Sequence, residues 1–141
     1  MKALLDTDIV SELIRAKNTA VLARADAHKR EHGALAFSAM TVFEITQGLH
    51  RLSRSEQAAN FLLWLRDCEV LELDEAAATL AGEIGGALLQ AGRVIGIVDT
   101  CIAATALRHG RAIVTGNERH YELVRAAGFP VTIENWREPT P

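Results

Sequence analysis

The feature that most constrains the fold is a unit that recurs along the chain: a helical stretch, a glycine, and then a short apolar run. The stretches ADAHKREHG, ATALRHG and LVRAAG each end on a glycine, which suits the left-handed backbone position that closes a helix. Short strand-like runs follow at residues 35–37, 112–114 and 131–133. With residues 3–5 and 70–73, the pattern predicts up to five strands separated by helices. It therefore indicates an α/β protein whose central parallel sheet has helices on both faces.

The size and composition of the chain indicate one domain. It has 141 residues, of which 49 % are hydrophobic and only 5 % aromatic, so one aliphatic core is expected. We predict a single domain over residues 1–136 and a flexible C-terminal tail, REPTP, over residues 137–141. The formal net charge of −3 has no polybasic signature for nucleic acid. It does not exclude nucleic acid, because a bound divalent cation can supply positive charge locally.

The sequence favours a cytoplasmic protein with no membrane segment. Cys68 and Cys101 form no C-x-x-C motif and are interpreted as buried free thiols in a reducing compartment. Asp6 and Asp8 interrupt the N-terminal apolar stretch, so no signal peptide is indicated. No run approaches the roughly 20 apolar residues that a membrane helix needs.

Polar residues follow the predicted strands at the edge where open parallel sheets bind ligands. They are Asp6 after the first strand, Glu44 after the second, Asp99 in the helix before the fourth, and Asn117 after the fourth. Each has a structural alternative. Asp6 suits an Asx turn, and Glu44 suits a capping box with Thr41. Asp99 suits a helix dipole, and Asn117 suits an N-cap.

Capping does not explain why three of these four residues are carboxylates at one edge of the sheet. Neighbouring carboxylates repel unless they are protonated or bridged by a cation, and oxygen ligands suit Mg²⁺ or Mn²⁺. The histidines show no zinc-binding spacing, and no nucleotide-binding loop or G-x-S-x-G elbow is present. His120, beside Tyr121, is interpreted as structural or surface-exposed rather than catalytic.

Four segments resemble, in order and spacing, the motifs of PIN-domain ribonucleases: LLDTDIVSELIR, SAMTVFEITQGL, GIVDTCIAATAL and IVTGNERHYELV. The match is closest to VapC-type toxins of toxin–antitoxin pairs, including the FitB-like branch, and spans Leu4 to Trp136. The resemblance implies a PIN-like α/β/α sandwich. It also implies that Asp6, Glu44 and Asp99 form an acidic site for Mg²⁺ or Mn²⁺.

The resemblance has further implications for the site and its partners. It implies that Thr7 helps to position a ligand. Asn117 stands where many PIN domains carry a fourth acid, and an uncharged ligand there leaves open whether one or two metals bind. The resemblance also implies an RNA substrate, a VapB-like antitoxin and a homodimer.

The predicted function is metal-dependent hydrolysis of RNA phosphodiester bonds by a toxin endoribonuclease. Asp6 and Asp99 are expected to ligate the metal, and Glu44 to bind it through water or to orient the attacking water. Asn117 is expected to hold a water or a phosphate oxygen. The nearby arginines that could contact RNA phosphates are Arg15, Arg93 and Arg119.

Two alternatives come from other classes. LLDTDIVS also fits the D-x-D-x-[TV] signature of haloacid-dehalogenase-like phosphatases, and AIVTG resembles their second motif. Their third motif needs a downstream lysine, and none follows Lys29. The second alternative is an inactive PIN-like binding module.

One helical stretch, EAAATLAGEIGGALLQAG, is rich in small residues. Its apolar face consists of Ala77, Leu80, Ala81, Ile84 and Leu88. Tight packing within the monomer and a subunit interface both explain its composition.

Overall fold

A computed structural model describes residues 1–138, in which five short strands alternate with seven helices. In chain order the elements are β1 (Ala3–Leu5), α1 (Thr7–Arg15), α2 (Thr19–His32), β2 (Ala36–Ser38), α3 (Ala39–Arg51), α4 (Ser55–Trp64), β3 (Glu69–Leu71), α5 (Glu75–Gln90), α6 (Ile97–His109), β4 (Ala112–Val114), α7 (Glu118–Ala126) and β5 (Thr132–Glu134). A 3₁₀ turn, Leu65–Asp67, connects α4 to β3.

The five strands form one parallel sheet in the order β3-β2-β1-β4-β5, which confirms the predicted fold class. Leu5 of the central strand pairs with Phe37 in β2 and with Val114 in β4. The chain first builds outward from β1 through β2 and β3, and then crosses to the other side for β4 and β5. The order therefore reverses between β1 and β4, and ligands of open α/β sheets bind outside the carboxyl ends of strands at such a point.

Each face of the sheet has its own apolar core because side chains alternate along a strand. Leu4 points into the core beneath α5, α6 and α7, which includes Ile84 and Ile102. Ala3 and Leu5 point into the opposite core, beneath α1 to α4. All three residues of β1 are buried, so the strand enters the site from the protein interior.

The strand positions agree with the sequence predictions to within two residues. β1 and β4 have the predicted bounds, β2 and β5 lie one residue later, and β3 begins one residue earlier and ends two earlier. The ladder decides these ends: Glu69, which is exposed, belongs to β3 because it pairs with Ala36. Cys101 is buried as predicted, whereas Cys68 is only half-buried, and neither forms a disulfide.

The small-residue helix α5 packs on α6 within the monomer. The predicted face is buried at Ala77, Ala81, Ile84 and Leu88 and partly buried at Leu80. A Cβ at Gly85 would lie 3.7 Å from Thr100 Cγ2, while Gly82 and Gly86 face open space. A distance of 3.7 Å is an ordinary van der Waals contact, so packing within the monomer requires glycine at none of the three positions.

The described residues include the start of the predicted C-terminal tail and all the helices that could be tested for membrane spanning. Arg137, placed in the tail by the sequence analysis, forms ion pairs with Asp8 and Glu12. Residues 139–141 of that predicted tail lie outside the described residues. Across residues 1–138, none of the helices has the length and apolar character needed to cross a membrane.

Candidate active site

Asp6 lies at the centre of the site, at the carboxyl end of β1 where the strand order reverses. Its backbone N–H donates to the Val114 carbonyl at 2.9 Å, which continues the β1–β4 ladder by one residue. Its Oδ1 accepts from the Thr7 N–H at 2.8 Å, and its Oδ2 accepts from Thr115 Oγ1 at 2.8 Å. The side chain therefore caps α1, where the structural alternative had predicted an Asx turn, and it also contacts the neighbouring strand end.

Burial makes Asp6 an unusual carboxylate. The residue is only 4 % exposed, and its pKa is raised from 3.8 to about 7. Loss of solvation is the main cause, and the charges of Asp8 and then Asp99 add to it. Hydrogen bonds from Thr115 and Thr7 favour the charged form but do not offset these effects. A nearby cation would stabilise the ionised carboxylate.

Glu44 is held by Thr7, the residue that follows Asp6, and not by a capping box. Helix α3 begins at Ala39, and Ser38 is its N-cap, so the capping box predicted for Thr41 and Glu44 is wrong. Thr7 Oγ1 donates to Glu44 Oε1 at 2.5 Å and lies 3.0 Å from Thr41 Oγ1. Because Thr7 directly follows Asp6, this contact ties the second predicted acid to the first.

Asp99 and Asn117 meet at a histidine that the sequence analysis left outside the site. His120 Nδ1 lies 2.6 Å from Asp99 Oδ2 and 2.9 Å from Asn117 Nδ2. Asn117 stands at the N-cap of α7 but makes no capping bond with its side chain, so the capping alternative is wrong for this residue. His120 follows Asn117 by three residues, a spacing that places both on one helix face. This spacing was the sequence signal that could have placed His120 in the site.

A second cluster that the sequence analysis missed supports the β4–α7 loop. The Gly116 N–H donates to Asp8 Oδ2 at 2.9 Å. Arg137 places Nη2 3.2 Å from that same oxygen and Nε 2.5 Å from Glu12 Oε1. A Cβ on residue 116 would overlap the Arg137 guanidinium, so any larger residue there would displace that side chain from its present position. Burial raises the pKa of Asp8, while the Gly116 N–H and Arg137 lower it.

Tyr121 lies beneath the carboxylates. It is fully buried, and its hydroxyl has no hydrogen-bond partner by distance and angle among the described residues. Burial, followed by the charges of Asp6 and Asp99, raises the pKa of the phenol well above its ordinary value. Tyr121 therefore stays neutral and adds no negative charge to the site.

The carboxylate oxygens of the site are the kind of ligand that a hard divalent cation prefers, although the side chains are not arranged as a complete metal-binding cluster. Asp6 and Asp99 are close enough for the charge of one to raise the pKa of the other. Glu44 is engaged by Thr7 and Asp99 by His120. No group of three or more His, Cys, Asp or Glu residues within 1–138 is arranged to hold a metal. A pair of carboxylates is nevertheless the protein contribution that Mg²⁺ typically uses, together with several waters.

Comparison with known proteins identifies the family. The model of the PIN domain family matches residues 3–126. The chain is a PIN domain. This agrees with the resemblance of its four motifs, and the haloacid-dehalogenase alternative is left without support.

The PIN domain has curated relatives along nearly its whole length. It is 32 % identical over 125 residues to the tRNA(fMet)-specific endonuclease VapC of Shigella flexneri, covering 88 % of this chain and 92 % of the relative. It is 34 % identical over 140 residues to the VapC ribonuclease Y4jK of Sinorhizobium fredii, covering 94 % and 96 %. The recognition of a VapC-type chain is thereby confirmed.

Solved structures share the fold of this PIN domain. A DNA-bound VapBC complex from Salmonella typhimurium contains a chain that superposes with a TM-score of 0.82 at 28 % identity, covering 96 % of this chain and 98 % of that one. FitAcB from Neisseria gonorrhoeae matches with a TM-score of 0.78 at 26 % identity, covering 97 % and 99 %. The likeness thus includes the FitB-like branch.

Proposed function

We propose that this PIN domain is a divalent-metal-dependent endoribonuclease that acts as the toxin of a toxin–antitoxin pair in the cytoplasm. The observation that carries the proposal is Asp6. It is a buried carboxylate at the switch point of the sheet, with a pKa raised to about 7 and with Asp99 beside it. Ionising a carboxyl group in this buried position costs stability that its hydrogen bonds do not offset, so a cation-dependent function explains its position. The names of the curated relatives support a ribonuclease.

The mechanism assigns a role to each polar side chain of the site. Asp6 and Asp99 would hold Mg²⁺ or Mn²⁺, which when bound supplies Lewis-acid polarisation and lowers the pKa of water. Glu44, fixed by Thr7, accepts a hydrogen bond from the attacking water and aims it at phosphorus. The Asn117 amide donates to a water or to a phosphate oxygen.

Several groups keep these side chains oriented. His120, when its Nδ1 carries a proton, donates to Asp99 and restrains that carboxylate. Thr115 holds Asp6 while its Oγ1 accepts from the backbone N–H of residue 117 at 2.9 Å. Positioned donors and charges of this kind stabilise charge that develops on a phosphoryl group without reorganisation. Asn117 has an uncharged amide where many PIN domains carry a fourth acid, and this supports a single tightly held metal.

The proposal includes partners and boundaries. The VapBC and FitAcB neighbours support a VapB-like antitoxin that binds this chain. A homodimer is supported by the exposed apolar side chains around the groove between α5 and α6, where Leu89, Val94 and Ile97 are 67 %, 76 % and 80 % exposed. Arg93 lines the same groove. One domain over residues 1–136 accommodates the whole site except for the supporting residue Arg137.

The test is cleavage of a structured RNA by the purified chain with Mn²⁺, comparing wild type with Asp6→Asn and Asp99→Asn. We expect both variants to lose at least about 100-fold in rate, since each removes a charged ligand. Asp26→Asn is the matched control, because Asp26 is exposed on α2 and forms an ion pair with Lys29 at the surface. Undiminished cleavage by a folded Asp6 variant would contradict the assignment. A wild-type chain that neither cleaves RNA nor binds Mn²⁺ in calorimetry would favour the inactive binding module.

A further inference from the structure

A groove of about 620 Å³ opens beside Thr7 and Glu44 and runs between α1, α3 and α4. Among residues 1–138, its charged lining consists of Arg15, Arg51 and Arg54 and of one carboxylate, Glu44. The groove therefore carries a local positive excess in a chain whose formal net charge is −3.

The three arginines are available to a ligand. All are exposed, and within residues 1–138 their side chains make no hydrogen bond or ion pair with another residue. Helix dipoles account for two of them, because Arg15 and Arg51 each end a helix, where positive charge is favourable.

Arg54 has no such local explanation. It occupies the N-cap of α4, makes no capping hydrogen bond, and faces the positive end of the helix dipole. A cationic side chain at this position is locally unfavourable. An anionic ligand in the groove would offset that cost.

The geometry connects the arginines to the site. The Thr7–Glu44 hydrogen bond joins α1 and α3 at their site ends. Arg15 lies eight residues after Thr7 on α1, which is about 12 Å along the helix. Arg51 lies seven residues after Glu44 on α3, which is about 10 Å. The two helices thus carry arginines at similar distances from the proposed cleavage point.

The groove wall is suited to unpaired bases. Trp64 lines it and packs on Phe37 and Phe61, with ring centroids 5.7 and 6.2 Å apart, so its ring is held in place. Ile14 and Leu52 add exposed apolar surface at 40 % and 49 % exposure. Aromatic and apolar surface beside arginines is what single-stranded nucleic acid binds.

We infer that this groove is the path of a single-stranded RNA segment leaving the site, with Arg15, Arg51 and Arg54 contacting its phosphates. The inference rests on the proposed ribonuclease function and adds the part of the surface that holds the substrate. An acidic protein segment would also match the charge. Continuity with the site favours RNA, because the groove begins at Thr7 and Glu44, and Glu44 is the residue proposed to orient the attacking water.

The experiment measures binding of a labelled single-stranded oligoribonucleotide by fluorescence anisotropy in EDTA, at salt concentrations from about 50 to 200 mM. The variant is Arg51→Ala/Arg54→Ala. We expect about 10-fold weaker binding and a salt slope that falls by about 1.4, since each single-strand phosphate contact contributes about 0.7. The control Arg30→Ala/Arg108→Ala removes the same charge from exposed positions on α2 and α6, outside the groove. It should keep the wild-type slope.

Two further variants separate the effect of charge from an effect on folding. Arg51→Lys/Arg54→Lys preserves the charge and should keep the slope, and Arg15→Ala provides an independent site if the double variant does not fold. Equal effects of the groove and control variants, or an unchanged slope, would overturn the inference. The inference would also be overturned if the groove variant lost binding to a poly-glutamate peptide but still bound RNA like wild type. That result would indicate an acidic protein partner.

The outcome is separable from that of the proposed function. Binding in EDTA requires no cleavage, so an Asp6→Asn chain should bind RNA through the groove even though it cannot cut it. Wild-type cleavage together with unaltered RNA binding by the groove variant would overturn this inference alone. Absence of cleavage together with a groove-dependent salt slope would overturn the ribonuclease assignment and retain the groove as an RNA-binding surface.

Discussion

Replacing Asp6 with asparagine should stabilise the metal-free protein at alkaline pH while removing its activity. The pKa of Asp6 is about 7 in the folded chain, against an ordinary value of 3.8. The folded state therefore keeps the proton to a higher pH than the unfolded state, and stability falls as the pH rises from about 4 to about 7. Asparagine does not titrate, and it can accept from the Thr7 N–H and donate to Thr115 Oγ1.

The magnitude follows from the part of this window that an assay can span. The folded pKa of about 7 lies roughly two pH units above the lower limit of about pH 5. Between about pH 5 and about pH 8.5 the wild-type protein therefore loses about 3 kcal/mol in its free energy of unfolding. Urea unfolding in EDTA at these two pH values should show the advantage of Asp6→Asn over wild type growing by that amount. Mn²⁺ should then stabilise wild type at the higher pH, but not the variant.

The control and the refutation are direct. Asp26→Asn alters an exposed carboxylate on α2, so its difference from wild type should change little with pH. If the Asp6→Asn difference were also constant with pH, Asp6 would have an ordinary pKa, and the argument from burial would fail. Constant Mn²⁺ stabilisation in both chains would place the cation elsewhere.

Three other substitutions test the support around the site. Gly116→Ala should lower the free energy of unfolding by about 1–3 kcal/mol, because its Cβ would overlap the guanidinium of Arg137. Urea unfolding of the double variant Gly116→Ala/Arg137→Ala should show that part of this loss is recovered. Arg137→Ala alone should cost about 1–2 kcal/mol in the same assay by leaving the half-buried Asp8 without its cation, and an unchanged midpoint would contradict this. His120→Ala should weaken Mn²⁺ binding about 10-fold in calorimetry by releasing Asp99, whereas His120→Gln should retain part of the affinity.

The site was predictable to the extent that its residues follow strand ends. A carboxylate directly after a buried strand, as at Asp6, is a local signal, and so are Glu44 and Asp99 in the first turns of helices next to the sheet. The capping alternatives for Glu44 and Asn117 were equally local and were wrong, because contacts with Thr7 and His120 replaced them. Local spacing restricts where a side chain can be, but it does not choose its partner.

The linear sequence by itself determined the alternation of helices and strands, the parallel sheet, and the set of acids at one edge. These features depend on periodicity and on residues next to one another in the chain. Only the tertiary structure decided which groups surround them. Thr115 reaches Asp6 across 109 positions, and Gly116 reaches Asp8 across 108. Such contacts exist only after β4 has paired with β1, because the chain must return to its own beginning before these side chains can meet.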